Sequence, residues 1–594
     1  MGDNVETIRT KIKGKIPAEN LRMVVIFLIV SIALLWKCRY GCVSADEAYY
    51  PTIAYRFLMG DRILYDDWGG AQLYSVLLMP LLKLYMTIVG SMDGVYLFIR
   101  YVYTIIKIII SVLIYVRLKK YSRTGAYISA MMFLIFAPYG LMVLSYNSVS
   151  IGGAVVATLL FLNDTDCVKT RIYWVLSGIA LAVSVLGIPY NVIIYIAYVI
   201  AVTVISNVYK RRAVKGKGVN STIKLCYSYK ALGFVTLGAA LSAALFFVYV
   251  FSKTTISEIV QTIPRIFLGD PTHLPKSLKK LTVTYIGGLI TGNNRDRLVF
   301  ATFLIMAVIV AVYFADKKRQ DRTARYVTAV GVTALLMLAA YVYQEHHINV
   351  IIYVPNVVAV VLLIMVKDER IRTLFATIVA PGIVVTYAEY VASDTWFWGI
   401  AAASSVAAVG SVLIILLVIK NFINETKTLS KELLSARFSV GLLSVFLVMC
   451  IGFLMYYRMA FTFRDGDIGS LNVKINEGVA KGVITTQKNY DTYEDMYRDT
   501  EKIRNMPSDT NVIYFGDNTL LLAGTQSCAT YATYMQTVRT DMLYAYYDEH
   551  PEKKADVIYI QGKEREQLRD ELVEKFGCRV EDVPTGWILY VESR

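Results

Sequence analysis

The sequence is short of charge. Asp, Glu, Lys and Arg make up 18% of its 594 residues, while 56% are hydrophobic. Soluble chains carry about a quarter charged residues, so this deficit places the chain on the membrane side. The seven cysteines form no CxxC pair and no metal-ligand spacing, and their odd number specifies no disulfide framework. No GxGxxG and no Walker-type loop occurs, so nothing points to a nucleotide site. No internal repeat of the kind that marks many transporters is visible. The net charge of +15 predicts no nucleic-acid partner, because most Lys and Arg lie in short segments between apolar runs.

Those runs dominate what is present. Candidate spans fall near residues 21–35, 99–116, 124–143, 148–162, 172–187, 190–208, 231–251, 298–315, 326–343, 350–366, 371–388, 396–419 and 437–457, about thirteen in all. With the N-terminus cytoplasmic, after Arg9, Lys11, Lys13 and Lys15, the inside loops collect the basic clusters from Arg117 to Arg123, Lys210 to Lys230 and Lys317 to Arg319. The opposite short loops at 144–147, 188–190, 344–349 and 389–395 hold no Lys or Arg. Segment 73–90 is apolar enough to span, yet spanning would invert every later loop. Its Pro80 and Lys83 fit an interfacial helix instead. The first apolar run has no small-residue cleavage site behind it and is expected to be a retained helix.

The predicted fold is a polytopic α-helical membrane domain over 1–457, with long outer loops at 39–98 and 252–297. An extracytoplasmic α/β domain follows over 458–594, with strands near 512–515, 557–560 and 587–591 and helices near 490–506 and 562–576. Cys528 and Cys578 both fall in this domain, and sequence alone cannot place them within bonding distance.

The first outer loop carries the densest constellation: Asp46-Glu47, Tyr50, Gly60, then Asp61, Asp66, Asp67 and Trp68. After Pro51, residues Ile53, Ala54, Phe57 and Leu58 form one apolar stripe at helical spacing. Asp46 extends that stripe, so its carboxylate is expected to face protein or membrane. Ser44 and Glu47 also read as a capping box. Pro51 argues for a helix start nearer residues 47–50. Arg100 opens the next span, and a charge at a span mouth marks either a paired site or a snorkelling anchor. His346 and His347, two of the four histidines, lie on a short outer loop, where phosphate contact and interface anchoring are both open.

Asp46-Glu47, Tyr50, Ala54, Gly60, the 73–90 segment with its closing Gly90, and Arg100 together resemble the GT-C superfamily of membrane glycosyltransferases. Within it, the protein O-mannosyltransferase and aminoarabinose-transferase branch looks most similar. The residue-level resemblance covers 40–100; beyond that it is architectural.

The resemblance implies transfer of a sugar from a polyprenyl-phosphate donor to a glycan, lipid or protein acceptor on the outer face of the bilayer. Asp46 would be the general base, and Glu47 would orient the acceptor or hold a divalent metal such as Mg or Mn. Arg100 is the first candidate for the phosphate, with His346 and His347 as further ones and Tyr50 among the substrate-binding residues. Many relatives carry a second carboxylate in the next outer loop, but here that loop reads Ser145-Tyr146-Asn147-Ser148. Either Asp66-Asp67 supply what is missing, or the acceptor chemistry differs, or the site is inactive; Asp66-Asp67-Trp68 equally reads as a plain turn. Two other readings stand beside the transferase: a transporter or flippase for a lipid-linked saccharide, and a catalytically silent relative that binds a polymer or partner through 458–594.

Overall fold

The computed structural model describes residues 18–42, 44–214, 220–269, 287, 290, 294–344, 348–392, 401–425, 433–463, 465–517, 519–533 and 539–592. The chain is a multi-pass helical membrane protein with a C-terminal sheet domain. Among the described residues, nine helices are long and apolar enough to cross a membrane. Four further expected spans fall on other helices, so these nine account for part of the roughly thirteen expected. Three of them are Tyr146–Phe161, Asn294–Ala315 and Ile348–Met365. The fourth, Arg123–Ile135, ends at extended Phe136 and cannot cross alone at 1.5 Å per residue.

The second span, Val95–Leu118, illustrates how the sequence builds these helices. Ile99, Tyr103, Ile110 and Ile114 are buried along one face, with Arg100 and Lys107 among them. Ile105, Ile109, Val112 and Val116 are exposed on the other. Small residues let spans approach closely, as expected where packing must drive association in lipid. A methyl group at Gly178 would lie 2.0 Å from the Val235 carbonyl oxygen of the facing helix Tyr229–Phe251.

Segment 73–90 forms the helix Ser75–Val89, closed by left-handed Gly90. Its 15 residues rise about 22 Å, short of the ~30 Å hydrocarbon core. It packs against the first-loop helix Ser44–Leu58.

In the C-terminal domain the three expected strands are present as Asn511–Phe515, Val557–Gln561 and Gly586–Val591. Two more, Ser527–Cys528 and Cys578–Val583, complete a five-stranded sheet with one of them at each edge. Asn511–Phe515 runs parallel to both of its neighbours, and the other pairings are antiparallel. Cys528 and Cys578 thus sit on opposite edges, four strand spacings or about 19 Å apart, and both are free.

Candidate functional site

Helix Ser44–Leu58 begins at Ser44, earlier than the expected start near 47–50, and runs through Pro51. Proline in a helix removes one i→i−4 bond. Tertiary anchoring on either side of Pro51 outweighs that loss. Tyr55 Oη donates to the Gly524 carbonyl of the C-terminal domain at 2.6 Å, and the Glu47 side chain is held from the second span. Gly60, at φ 121°, turns the chain after the helix, as its position predicts. Asp46 belongs to this helix; the expected direction of its carboxylate lies outside the described residues.

Glu47 and Arg100 form a buried two-pronged ion pair, Nε to Oε1 and Nη2 to Oε2, both 2.5 Å. Arg100 also donates to the carbonyls of Cys38 at 2.7 Å, Tyr40 at 3.4 Å and Gly41 at 2.6 Å. All five N–H donors of the guanidinium are thereby engaged by protein acceptors. In this structure Arg100 thus holds Glu47 and closes the end of the first span. A cavity of about 20 Å³ borders the pair, lined also by Lys37, Met142 and Phe461.

Below this rim lies a second, larger cavity of ≈ 480 Å³. Leu77, Leu78 and Leu81 of the 75–89 helix form one wall, and Phe133, Phe136 and Val149 stand among the residues opposite. Into this apolar lining come Tyr103 and Lys107, one and two turns below Arg100. Lys107 Nζ stands 3.3 Å from the centroid of the Phe133 ring, and no acid pairs with it among the described residues. Arg458, at the end of the last span Leu433–Ala460, acts electrostatically on both Tyr103 and Lys107. Tyr103 Oη and Arg458 Nε are buried without hydrogen-bond partners. Lys107 and the Tyr103 hydroxyl therefore stand in the apolar lining with Arg458 in electrostatic reach, its Nη1 donating to the Gly140 carbonyl at 3.4 Å; polar groups are costly to leave unpaired in a membrane.

Tyr50 packs edge-to-face with Tyr49, Tyr74 and Tyr146. The acid-free loop at 145–148 thus does reach the first outer loop, contributing an aromatic ring where relatives are expected to place a carboxylate.

Asp66 and Asp67 do not line the cavity at Glu47. They are buried at the junction with the C-terminal domain. Arg56, fully buried, bonds Asp61 at 2.8 Å, pairs with Asp67 at 3.5 Å and donates to the carbonyls of Asp66 and Thr530. Asp67 also accepts from Thr533 at 3.0 Å and from the Gly69 N–H at 2.7 Å. Trp68 lies in the C-terminal core between Tyr531 and Tyr546. Burial raises the pKa of both carboxylates, and Asp61 adds to the rise at Asp66.

His550 Nδ1 lies 3.6 Å from Asp66 Oδ1, and neither atom has a hydrogen-bond partner. Burial lowers the His550 pKa, outweighing the opposing pull of Asp66, Glu552 and Glu549. A histidine depressed in the folded state contributes stability that is complete above its unfolded value near 6.5 and lost as pH falls through the lowered one. Thermal melts from pH 7.5 to 5 should therefore show falling stability below about pH 6.5, and His550→Gln should flatten that slope. An unchanged slope in the variant would assign it to other groups.

Sequence reasoning missed Lys107, Arg458 and Asp517. Asp517 follows strand Asn511–Phe515 at its carboxyl end, between two parallel neighbours whose connections leave in opposite directions, the place where open α/β sheets present functional groups. It is buried, its Oδ1 accepts from the Thr519 N–H at 2.8 Å, and Thr519 Oγ1 shares a 2.6 Å hydrogen bond with Tyr96, one turn before Arg100. Both Asp517 and Glu47 act electrostatically on Tyr96 and Cys42, so the sheet presents an acid toward the Glu47 rim. A Gly-Asp following a strand was the available signal. Lys107 was visible as a lone cation inside a span. His346 and His347 lie outside the described residues. Among the described residues, no group of three His, Cys, Asp or Glu side chains is arranged to hold a metal.

No family description and no curated protein matches the sequence. Among solved structures, the chain is similar to the archaeal oligosaccharyltransferase AglB from Archaeoglobus fulgidus, in complex with an inhibitory peptide and a dolichol-phosphate. That match has a TM-score of 0.47 and 12% identity, covering 97% of this chain and 75% of that one. The apo form of the Archaeoglobus fulgidus oligosaccharyltransferase gives 0.48 and 12%, covering 97% and 74%. ArnT from Cupriavidus metallidurans, bound to undecaprenyl phosphate, gives 0.44 and 11%, covering 96% and 98%.

Proposed function

We propose that this chain is a GT-C-type glycosyltransferase that moves a sugar from a polyprenyl-phosphate-linked donor to an acceptor on the outer face of the membrane. The observation that carries the reading is the ≈ 480 Å³ apolar cavity with unpaired Lys107 at its wall. A long isoprenoid tail matches the lining, and a phosphate matches the donors of Lys107 and Tyr103 in it, with Arg458 in electrostatic reach. Asp46, on the helix whose Glu47 is fixed by Arg100, would take the acceptor's proton as that oxygen attacks the anomeric carbon. The sugar–phosphate bond then breaks, and its electron pair leaves on the phosphate. Glu47 would act as a positioning residue. Asp517 would supply, from the C-terminal domain, the acid absent from the 145–148 loop.

The test is release of polyprenyl phosphate from a panel of polyprenyl-phosphate sugars by protein in lipid nanodiscs. Asp46→Asn should abolish release while donor still binds. Lys107→Met should weaken donor binding roughly ten- to a hundredfold, the size of one charge-assisted contact. Donor that fails to bind wild-type protein across the panel would overturn the reading. Binding without turnover in wild type would favour a silent, polymer-binding relative.

A further inference from the structure

We propose that the helix Ile256–Gly269 is a membrane-surface helix, with one face laid on lipid and the other holding the C-terminal domain down. This inference rests on the chain's being embedded in a membrane and is independent of the proposed activity.

The two faces are distinct in sequence and in contacts. Ile256, Val260, Ile263 and Phe267 recur at four-, three- and four-residue spacing, so they form one stripe. All four are solvent-exposed, Ile256 at 65%, Val260 at 61% and Phe267 at 53%. Exposure this large along a whole stripe of a short helix is rare in water. Glu258, Thr262 and Arg265 lie about 180° around the helix at ~100° per residue, and these make the protein contacts. Glu258 accepts from Arg62 at 2.9 Å, and Thr262 is buried. Arg265 pairs with Glu549 of the C-terminal domain at 2.5 Å and stands over the Trp68 ring at 5.3 Å. At the helix end, Arg539 donates to the Leu268 carbonyl at 2.9 Å.

The occupant of the apolar stripe follows from continuity. The helix starts four residues after the span Tyr229–Phe251. On that span Leu241, Leu245 and Val248 are likewise exposed at helical spacing, the surface a membrane protein gives to acyl chains. The chain thus leaves one lipid-facing helix and enters a second whose polar face is already taken up by protein. A lipid surface is the partner whose chemistry fits a stripe with no charge on it.

The experiment places a nitroxide on cysteines introduced singly at Val260, Phe267 and, as an aqueous control, Glu574, in the full-length chain carrying Cys167→Ser and Cys578→Ser, which removes the two native thiols that are not buried. Each is reconstituted into phosphatidylcholine–phosphatidylglycerol vesicles, and collision with oxygen is compared with collision with a water-soluble nickel chelate. Oxygen should exceed nickel at Val260 and Phe267 several-fold, with the reverse at Glu574. Nickel access at both stripe positions equal to that at Glu574 would overturn the proposal. So would spin–spin broadening that grows with protein per lipid, which would assign the face to a second copy of the chain. If a labelled variant aggregates, Phe267→Trp read by quenching with brominated lipid replaces it, and absence of quenching overturns the proposal equally.

Discussion

Arg100→Met is expected to cost about 3–5 kcal/mol of stability, because it leaves the Glu47 carboxylate buried without its counter-charge. The guanidinium holds more than one group: Glu47 through both carboxylate oxygens and the carbonyls of Cys38, Tyr40 and Gly41. Those carbonyls lie where the first span Ala18–Lys37 ends and the chain turns toward the acidic helix. Removing the fork therefore loosens the span end and the site helix together. Arg100→Lys should recover little, since one ammonium cannot reproduce the planar two-pronged geometry. Glu47→Gln should be milder, because an amide can still accept from the guanidinium. Thermal melts of the single and double variants give the coupling energy directly. Additive effects of Arg100→Met and Glu47→Gln would show that the pair does not hold the rim.

What the sequence made legible follows the physics of each signal. Long apolar runs and the spacing of Ile99, Tyr103, Ile110 and Ile114 specify a helix and its buried face, so the spans were readable. Gly60 and Gly90 were readable as stops because only glycine takes their backbone angles without strain. The Asp46-Glu47 helix was placed correctly, but its start was misjudged because Pro51 is a local signal and the Glu47–Arg100 pair that outweighs it spans 53 positions. The same blindness hid the fates of Asp66 and Asp67. A turn-like Asp-Asp-Trp looks alike whether it meets water, substrate or another domain, and its partners Thr533 and Tyr546 lie more than 450 positions away. Lys107 could be seen as a lone cation in a span; the cavity that gives it meaning could not, since five separate helices supply the walls. Edge strand Ser527–Cys528 was missed for its brevity, and Cys578–Val583 for its polar, largely exposed pattern.

Arg56→Met should detach the C-terminal domain from the first outer loop, again at about 3–5 kcal/mol. Arg56 is the one cation bonded to both Asp61 and Asp67 among the described residues, and it also takes the carbonyls of Asp66 and Thr530. Lys553 still neutralises Asp61 at 2.6 Å. Asp67 keeps only the Thr533 hydroxyl and the Gly69 N–H among its described partners, which leaves a buried carboxylate whose pKa burial already raises. Asp67→Asn in the Arg56→Met background should consequently restore part of the loss, because it removes the stranded charge. The neighbouring Arg62 supplies the contrast. About a third of its side chain is exposed and its partners are Asp66 and Glu258, so Arg62→Ala should cost under about 1 kcal/mol. Limited proteolysis with mass mapping reads the difference: in Arg56→Met, cleavage should appear between residues 61 and 73, while wild type and Arg62→Ala stay intact. If Arg56→Met melts and cleaves like wild type, the junction is held instead by Trp68 and its aromatic neighbours, and the ion network there is only a filler of buried polar space.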